Sequence, residues 1–181
     1  MVRGPKRRCS LRLPGYDYSQ PGAYFVTICT KNNSPQFGEI RGSARILNER
    51  GSIVEKVWIE IPDHFTNVTL DDFIVMPNHI HGILLLDEPP DCRGTACRAP
   101  TVEKFGKPTK GSLPTIIRSF KSASTHLINR LDKRKGISIW QRNYYEHIIR
   151  NEDSLNRIRR YIQENPIKWS IEPENLSRAN E

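Results

Sequence analysis

The sequence predicts an α+β fold, a ferredoxin-like split βαβ with a four- to five-stranded antiparallel sheet and one further helix at its C-terminal end. Three observations carry this. Four β-rich runs and two segments with apolar residues every three or four positions follow the order strand, helix, strand, strand, helix, strand. The two middle strands are separated by only Pro77-Asn78, which suits a hairpin. A third amphipathic segment follows the last strand and supplies the extra helix.

Residues 1–22 hold Arg3, Lys6, Arg7, Arg8 and Arg12, then Pro14-Gly15 and Pro21-Gly22, and predict an aperiodic basic arm ahead of the fold. Ala23 to Thr30 alternates Tyr24, Val26 and Ile28 against Phe25, Thr27 and Cys29, the pattern of a strand. Residues 32–42 read as loop. From Ala44 to Ile61, the residues Ile46, Ile53, Val54, Val57, Trp58 and Ile61 recur at helical spacing, and Pro62 stops that helix. Val68 to Met76 and Ile80 to Asp87 form the hairpin, the most hydrophobic part of the chain. Residues 88–111, rich in Pro, Gly and small polar residues, predict a flexible insertion loop. Leu113, Ile116, Ile117, Phe120, Leu127 and Leu131 mark one stripe of the second helix, which Gly136 ends. Ile137 to Tyr145 gives the fourth strand. Asn151, Glu152 and Asp153 start the last helix, since a capping side chain and two acids suit its positive end, and Pro166 bounds it. The domain so defined covers residues 23–169, with 170–181 as a C-terminal tail.

Composition limits the function. With 36% hydrophobic and 27% charged residues among 181, the chain can bury a core, yet it has no apolar run near the ~18 residues of a membrane span. Residues 1–12 are basic without the apolar stretch of a secretory signal, and the four cysteines are too scattered for a disulfide framework. A cytoplasmic protein with no membrane partner is expected. The net charge of +8 is unevenly spread. Residues 1–13 hold five basic and no acidic residues, 98–135 hold ten basic and two acidic, and 14–97 hold six basic and eleven acidic. Clustered Lys and Arg attract a polyanion by counterion release, so nucleic acid is the expected partner.

Two constellations carry chemistry. His79 and His81 lie two apart on a strand, so both imidazoles project from one face and can share a divalent ion, although such a pair also serves purely structural roles. On the last helix Tyr161 and Asn165 are four apart, beside the apolar stripe of Leu155, Ile158 and Ile162 and away from Arg157 and Arg160. Taken alone, they read as a core tyrosine and a helix terminator. Taken together, an ion on His79 and His81, completed by the Asn165 amide oxygen, could polarise a phosphate beside the Tyr161 hydroxyl. Attack by that hydroxyl conserves bond energy in a phosphotyrosine and releases a 3′-hydroxyl, which favours DNA strand transfer.

At these residues the sequence resembles the REP-associated tyrosine transposases. They are relatives of the small single-tyrosine transposases in the superfamily named for its His-hydrophobic-His (HUH endonuclease) motif. The resemblance is carried by MPNHIHG around His79 and His81, by LPGYDYSQPGAYFVTICT at Leu13 to Thr30, by WQRNYYEHIIRNE at Trp140 to Glu152, and by YIQENP at Tyr161 to Pro166. It implies a transposase that binds hairpin-forming single-stranded DNA and cleaves and rejoins it through a 5′-phosphotyrosine. It further implies Tyr161 as nucleophile, His79 and His81 as the metal pair, and Asn165 as third ligand where the insertion-sequence relatives commonly have Gln. The expected ion is Mg2+ or Mn2+, which suit a sphere shared with phosphate and amide oxygens, and other divalent ions could substitute. DNA contacts are expected from Arg3, Lys6, Arg7, Arg8 and Arg12 of the arm, and from Arg118, Lys121 and Arg142.

Other readings compete. A non-catalytic domesticated module, binding DNA or RNA through stacked sheet aromatics such as Tyr24, Phe25 and Tyr144, fits the same fold but gives no reason for His79, His81 and Tyr161 to occur together. A metal-dependent phosphodiesterase acting on small substrates would not require the tyrosine. Glu146 and His147 could support the site or merely end a strand, and Cys92 with Cys97 does not have the spacing of a zinc knuckle. The short link from the fourth strand to the last helix, Glu146 to Asn151, favours a monomer with its site in cis over a homodimer.

Overall fold

The computed structural model describes Leu13, residues 16–88 and residues 109–171. Its centre is β1 (Gly22–Cys29), whose Tyr24, Val26 and Ile28 are buried on one face while Phe25, Thr27 and Cys29 lie on the other. The hairpin β4 (Val68–Met76) and β5 (His79–Leu86) pairs with it through β5, and β6 (Tyr145–Ile149) pairs with its other edge. All pairings are antiparallel and the order is β4-β5-β1-β6, the arrangement expected of a split βαβ with its middle hairpin displaced to one side. The predicted fold class holds.

One sheet face carries α1 (Glu49–Ile59) and α3 (Leu113–Leu131), which bury Val54, Val57, Trp58, Ile116, Ile117 and Phe120 with Tyr24, Val26, Ile28, Ile80 and Leu84. The other face carries α4 (Glu152–Ile171), whose Leu155, Ile158 and Ile162 cover Phe25, Ile83 and Ile149. No described helix is long and apolar enough to cross a membrane.

Several boundaries differ from the sequence reading, each for a local reason. The segment read as loop and helix start contains a second small sheet, β2 (Gly38–Arg41) and β3 (Ala44–Leu47). Gly42 turns it at φ 63, and α1 begins only where the Asn48 side chain accepts from Gly51 N–H at 3.0 Å. Pro62 does not stop that helix; it lies in the first turn of α2 (Ile61–His64), where a missing N–H costs nothing. Helix α3 ends at Leu131, before Gly136, because Lys133 takes the left-handed conformation (φ 53) just after it.

The fourth strand is Tyr145–Ile149, with residue 145 alone in common with the expected 137–145. In the preceding segment Ile139 and Trp140 are buried, with one isolated bridge from Trp140 to Thr30 and the indole N–H donating to Ser124 Oγ at 2.9 Å. That segment reaches the sheet only at the end of β1, through Lys31 N–H to the Ile139 carbonyl at 2.7 Å and Gln141 N–H to the Cys29 carbonyl at 2.9 Å, while its Trp140 side chain packs against α3. Finally, α4 runs through Pro166 to Ile171.

The close approach of α1 to the sheet rests on Gly82 in β5. A Cβ there would lie 2.3 Å from Trp58 Cζ2, and Trp58 is fully buried. Gly82→Ala is therefore expected to cost about 1–3 kcal/mol of stability through overpacking, read as a lower urea midpoint. An unchanged midpoint would show that Trp58 has room to move.

Candidate active site

Strand β5 turns His79 and His81 onto the face covered by α4, and the register sets Cys29 opposite His79 and Thr27 opposite His81. The apolar stripe of α4 lands on this face and brings Tyr161 and Asn165 over the histidines. His79 Nε2 and His81 Nε2 lie 3.0 Å apart, and the Tyr161 hydroxyl is 3.4 Å from His81 Nε2. His81 is 4% exposed and Asn165 7%, whereas Tyr161 is 40% exposed. The hydroxyl thus sits at the mouth of the site, above the buried His81 and the half-buried His79.

A polar clamp fixes the helix. Arg159 donates to both carboxylate oxygens of Asp71, from Nε at 3.0 Å and Nη2 at 2.6 Å, and Gln163 Nε2 donates to Asp72 at 2.8 Å. Asp71 and Asp72 lie where the β4–β5 register slips between Leu70 and Phe73. Such an irregularity re-aims side chains, here towards α4. The hydrogen bonds from Arg159 hold the Asp71 carboxyl below its ordinary range.

Hydrogen bonds at Nδ1 orient both imidazoles. Asn78 Nδ2 donates to the Asn33 carbonyl at 3.1 Å, which leaves its amide oxygen facing His79 Nδ1 at 2.6 Å. An amide oxygen only accepts, so the His79 proton is on Nδ1 and a lone pair is on Nε2. His81 Nδ1 is 2.8 Å from the Thr27 hydroxyl, which can donate or accept. When Thr27 donates, His81 carries its proton on Nε2 and gives it to His79 in the 3.0 Å contact. When Thr27 accepts, both Nε2 lone pairs converge, an arrangement that a cation would stabilise and to which the Tyr161 hydroxyl, 3.4 Å from His81 Nε2, can also donate.

Burial lowers His79 to about 4, with a hydrogen bond to the Asn165 side chain opposing the shift. Burial, then the neighbouring His79, lowers His81 to about 3. Both rings are neutral near pH 7, the state a metal requires. Among the described residues there is no cluster of three His, Cys, Asp or Glu, and the polar side chain that meets the pair from α4 is the Asn165 amide.

All four predicted centre residues, His79, His81, Tyr161 and Asn165, come together. The predicted DNA contacts fare unevenly. Arg118 and Arg142 are exposed on α3 and on the segment before β6. Lys121 Nζ donates to the carbonyls of Gln141 and Asn143 at 3.0 Å each and lies 5.3 Å from the Tyr144 ring centre, so its charge is engaged within the fold. Arg3, Lys6, Arg7, Arg8, Arg12, Cys92 and Cys97 lie outside the described residues. Of the sheet aromatics considered for stacking, Tyr24 and Phe25 are buried and Tyr144 is half-buried.

Sequence reasoning did not single out Thr27 or Asn78. Strand pairing was needed to bring Thr27 to His81, although Asn78 adjoins His79 in the turn. Nor did it place Lys168 and Trp169 at the site, because the helix was expected to stop at Pro166. Lys168 Nζ lies 5.4 Å from the Tyr161 ring centre, and the Trp169 ring 5.6 Å from His79.

Comparison with known proteins gives a consistent picture. Residues 105–165 match the family model described as "Transposase IS200 like", a stretch that contains Tyr161 and Asn165 but not the histidines. An uncharacterized protein of Haemophilus influenzae is 41% identical over 170 residues, covering 92% of each chain. A second Haemophilus influenzae protein, named as a REP-associated tyrosine transposase, is 28% identical over 153 residues, covering 84% of this chain and 74% of its own. Among solved structures, a REP-associated tyrosine transposase bound to a REP hairpin superposes with a TM-score of 0.57 at 21% identity, over 91% of this chain and 73% of that one.

Thr27→Val keeps the shape of a β-branched strand residue and removes the hydroxyl. If Thr27 sets the His81 tautomer, Mn2+ affinity measured by calorimetry should fall roughly 10–100-fold. Parent-like affinity would mean that His81 needs no such partner.

Proposed function

We propose that this chain, whose residues 105–165 match the IS200-like transposase model, cleaves and rejoins hairpin-forming single-stranded DNA through a 5′-phosphotyrosine at Tyr161. The observation that supports this most directly is the 3.4 Å separation of the Tyr161 hydroxyl from His81 Nε2, within a cluster that also holds His79 and Asn165.

The chemistry follows from the side chains. The Tyr161 oxygen attacks the scissile phosphorus, its proton passes to solvent at the exposed mouth of the site, and the P–O3′ bond breaks as the leaving oxygen takes up a proton from solvent to give a 3′-hydroxyl. Attack by a 3′-hydroxyl on the phosphotyrosine reverses the step and rejoins the strand, so the bond energy is kept. His79, His81 and Asn165 are the groups that would hold Mg2+ or Mn2+, or another divalent ion, whose charge would offset that of a non-bridging phosphate oxygen. The facing Nε2 atoms, the acceptor on His79 Nδ1 and a hydroxyl able to accept from His81 Nδ1 fit that use.

The DNA partner is a hairpin with a single-stranded flank, held by exposed Arg118 and Arg142 and by the arm residues Arg3, Lys6, Arg7, Arg8 and Arg12. The setting is cytoplasmic. We assign the site to a single chain. Only Arg150 and Asn151 separate β6 from α4, which shortens the expected six-residue link, and the Arg159–Asp71 and Gln163–Asp72 contacts join the helix to its own sheet.

Tyr161→Phe is expected to abolish cleavage and the covalent DNA adduct, while hairpin affinity stays within about 0.5 kcal/mol of the parent. Cutting by the Phe variant would move the nucleophile elsewhere. Mixing Tyr161→Phe chains with chains carrying His79→Ala and His81→Ala should restore no activity. Recovery of cleavage would require sites shared between two chains and would overturn the assignment in cis.

A further inference from the structure

Among the described residues two large aromatics are exposed, Tyr161 of the candidate site and Tyr145. Tyr145 opens β6, one of the two edge strands of the four-stranded sheet, and is 49% exposed, whereas Ile149 on the same strand face is buried beneath α4. The helix therefore covers one end of this strand and leaves the other open. Tyr145, Thr27 and His81 occupy consecutive register positions across β6, β1 and β5, so they form one row on the face that carries the candidate site. Two strand spacings, about 10 Å, separate the ends of that row.

The rings are continuous with the site. Tyr145 packs edge-on against Phe25 at 6.4 Å, Phe25 stacks on His81 at 5.4 Å, and Phe25 meets Tyr161 edge-on at 6.1 Å. Phe25 itself is only 7% exposed and has no free face to offer. Tyr145 is held by the same cluster that positions the nucleophile, yet half of its surface faces solvent.

We propose that Tyr145 is a nucleobase-binding subsite, on which the unpaired base adjoining the scissile phosphate stacks. This rests on the reading that a DNA strand crosses the site at Tyr161. A phosphate at Tyr161 and His81 puts its neighbouring base within reach of the other end of the row, and an exposed aromatic ring there binds any base through its π-face. Stacking holds the strand so that the phosphate meets the tyrosine, and it selects for an unpaired nucleotide at that step, because a base inside a duplex has no free face. The class of ligand is an unpaired base rather than a particular sequence.

The test is a coupling experiment on the full chain. Hairpins with a single-stranded flank are prepared with an abasic position moved one nucleotide at a time, and binding is measured for the parent, Tyr145→Phe and Tyr145→Ala. Tyr145→Phe should bind like the parent. Tyr145→Ala should bind roughly tenfold more weakly or worse. At one flank position, loss of the base should weaken the parent by a similar factor and leave Tyr145→Ala unaffected. 2-Aminopurine at that position should be quenched by the parent and by Tyr145→Phe, but not by Tyr145→Ala. Parent-like binding by Tyr145→Ala, or a loss that is the same at every abasic position, would overturn the subsite. The readout needs no cleavage. Coupling without cutting would therefore sustain the subsite while removing the proposed reaction, cutting without coupling would do the opposite, and a parent that binds none of the hairpins would overturn both.

Discussion

Burial of β5 on both faces is the constraint from which the rest of the structure follows. Its Ile80 and Leu84 lie in the core under α1 and α3, and its Ile83 lies in the smaller core under α4. A strand covered on both sides has no solvated face on which to put polar residues. His79 and His81 can remain there only with partners, and Thr27, Asn78 and Asn165 are those partners. The same burial that makes the imidazoles costly to charge keeps them neutral. The hydrophobic packing that builds the sheet thus also sets the protonation state of the site.

Most of the architecture was legible because it is written in periodicity. The alternation around Tyr24 and Val26, the hairpin at Pro77-Asn78 and the stripe from Leu113 through Phe120 each appear as read, while Leu131, counted in that stripe, is exposed at the end of its helix. What was not legible depends on tertiary contacts. Ile46 fits a helical stripe in sequence, yet it alternates on β3, and only the Asn48 cap shows where the helix starts. The fourth strand begins late because Trp140 is claimed by Ser124 on α3. Pro166 removes one helical hydrogen bond, a cost that the surrounding structure absorbs, since Pro166 is buried and Trp169 packs on His79 beyond it.

The site itself was half legible. His79 and His81 announce themselves by spacing, and Tyr161 with Asn165 by helical phase, but the residues that orient them come from strands and turns whose pairing is invisible before folding. Charge counting shows a related limit. Lys121 contributes to the basic excess of 98–135, yet its ammonium group caps the carbonyls of residues 141–143 and shapes the approach to β6. A cation tied to three carbonyls is a structural element first, so the positive field available to a polyanion is smaller than the formal sum. Arg118 and Arg142, both exposed, are better placed to contribute to it.

The third proposed ligand shows how backbone position can offset side-chain length. Asn is one methylene shorter than the Gln expected at this place from the insertion-sequence resemblance, so its amide reaches the histidines only if the helix lies close to the sheet. Three features bring it there. Ile162 fills the small core beneath the helix, and the paired contacts of Arg159 and Gln163 to Asp71 and Asp72 pull the same two turns onto β4. The register slip at Leu70/Phe73 makes the two adjacent carboxylates available to α4. Asn165 reaches His79 with its side chain nearly buried, and Tyr161, one turn earlier, remains at the surface where a substrate can meet it. The short Asn165 side chain and the clamp that holds its helix against β4 are thus parts of one arrangement.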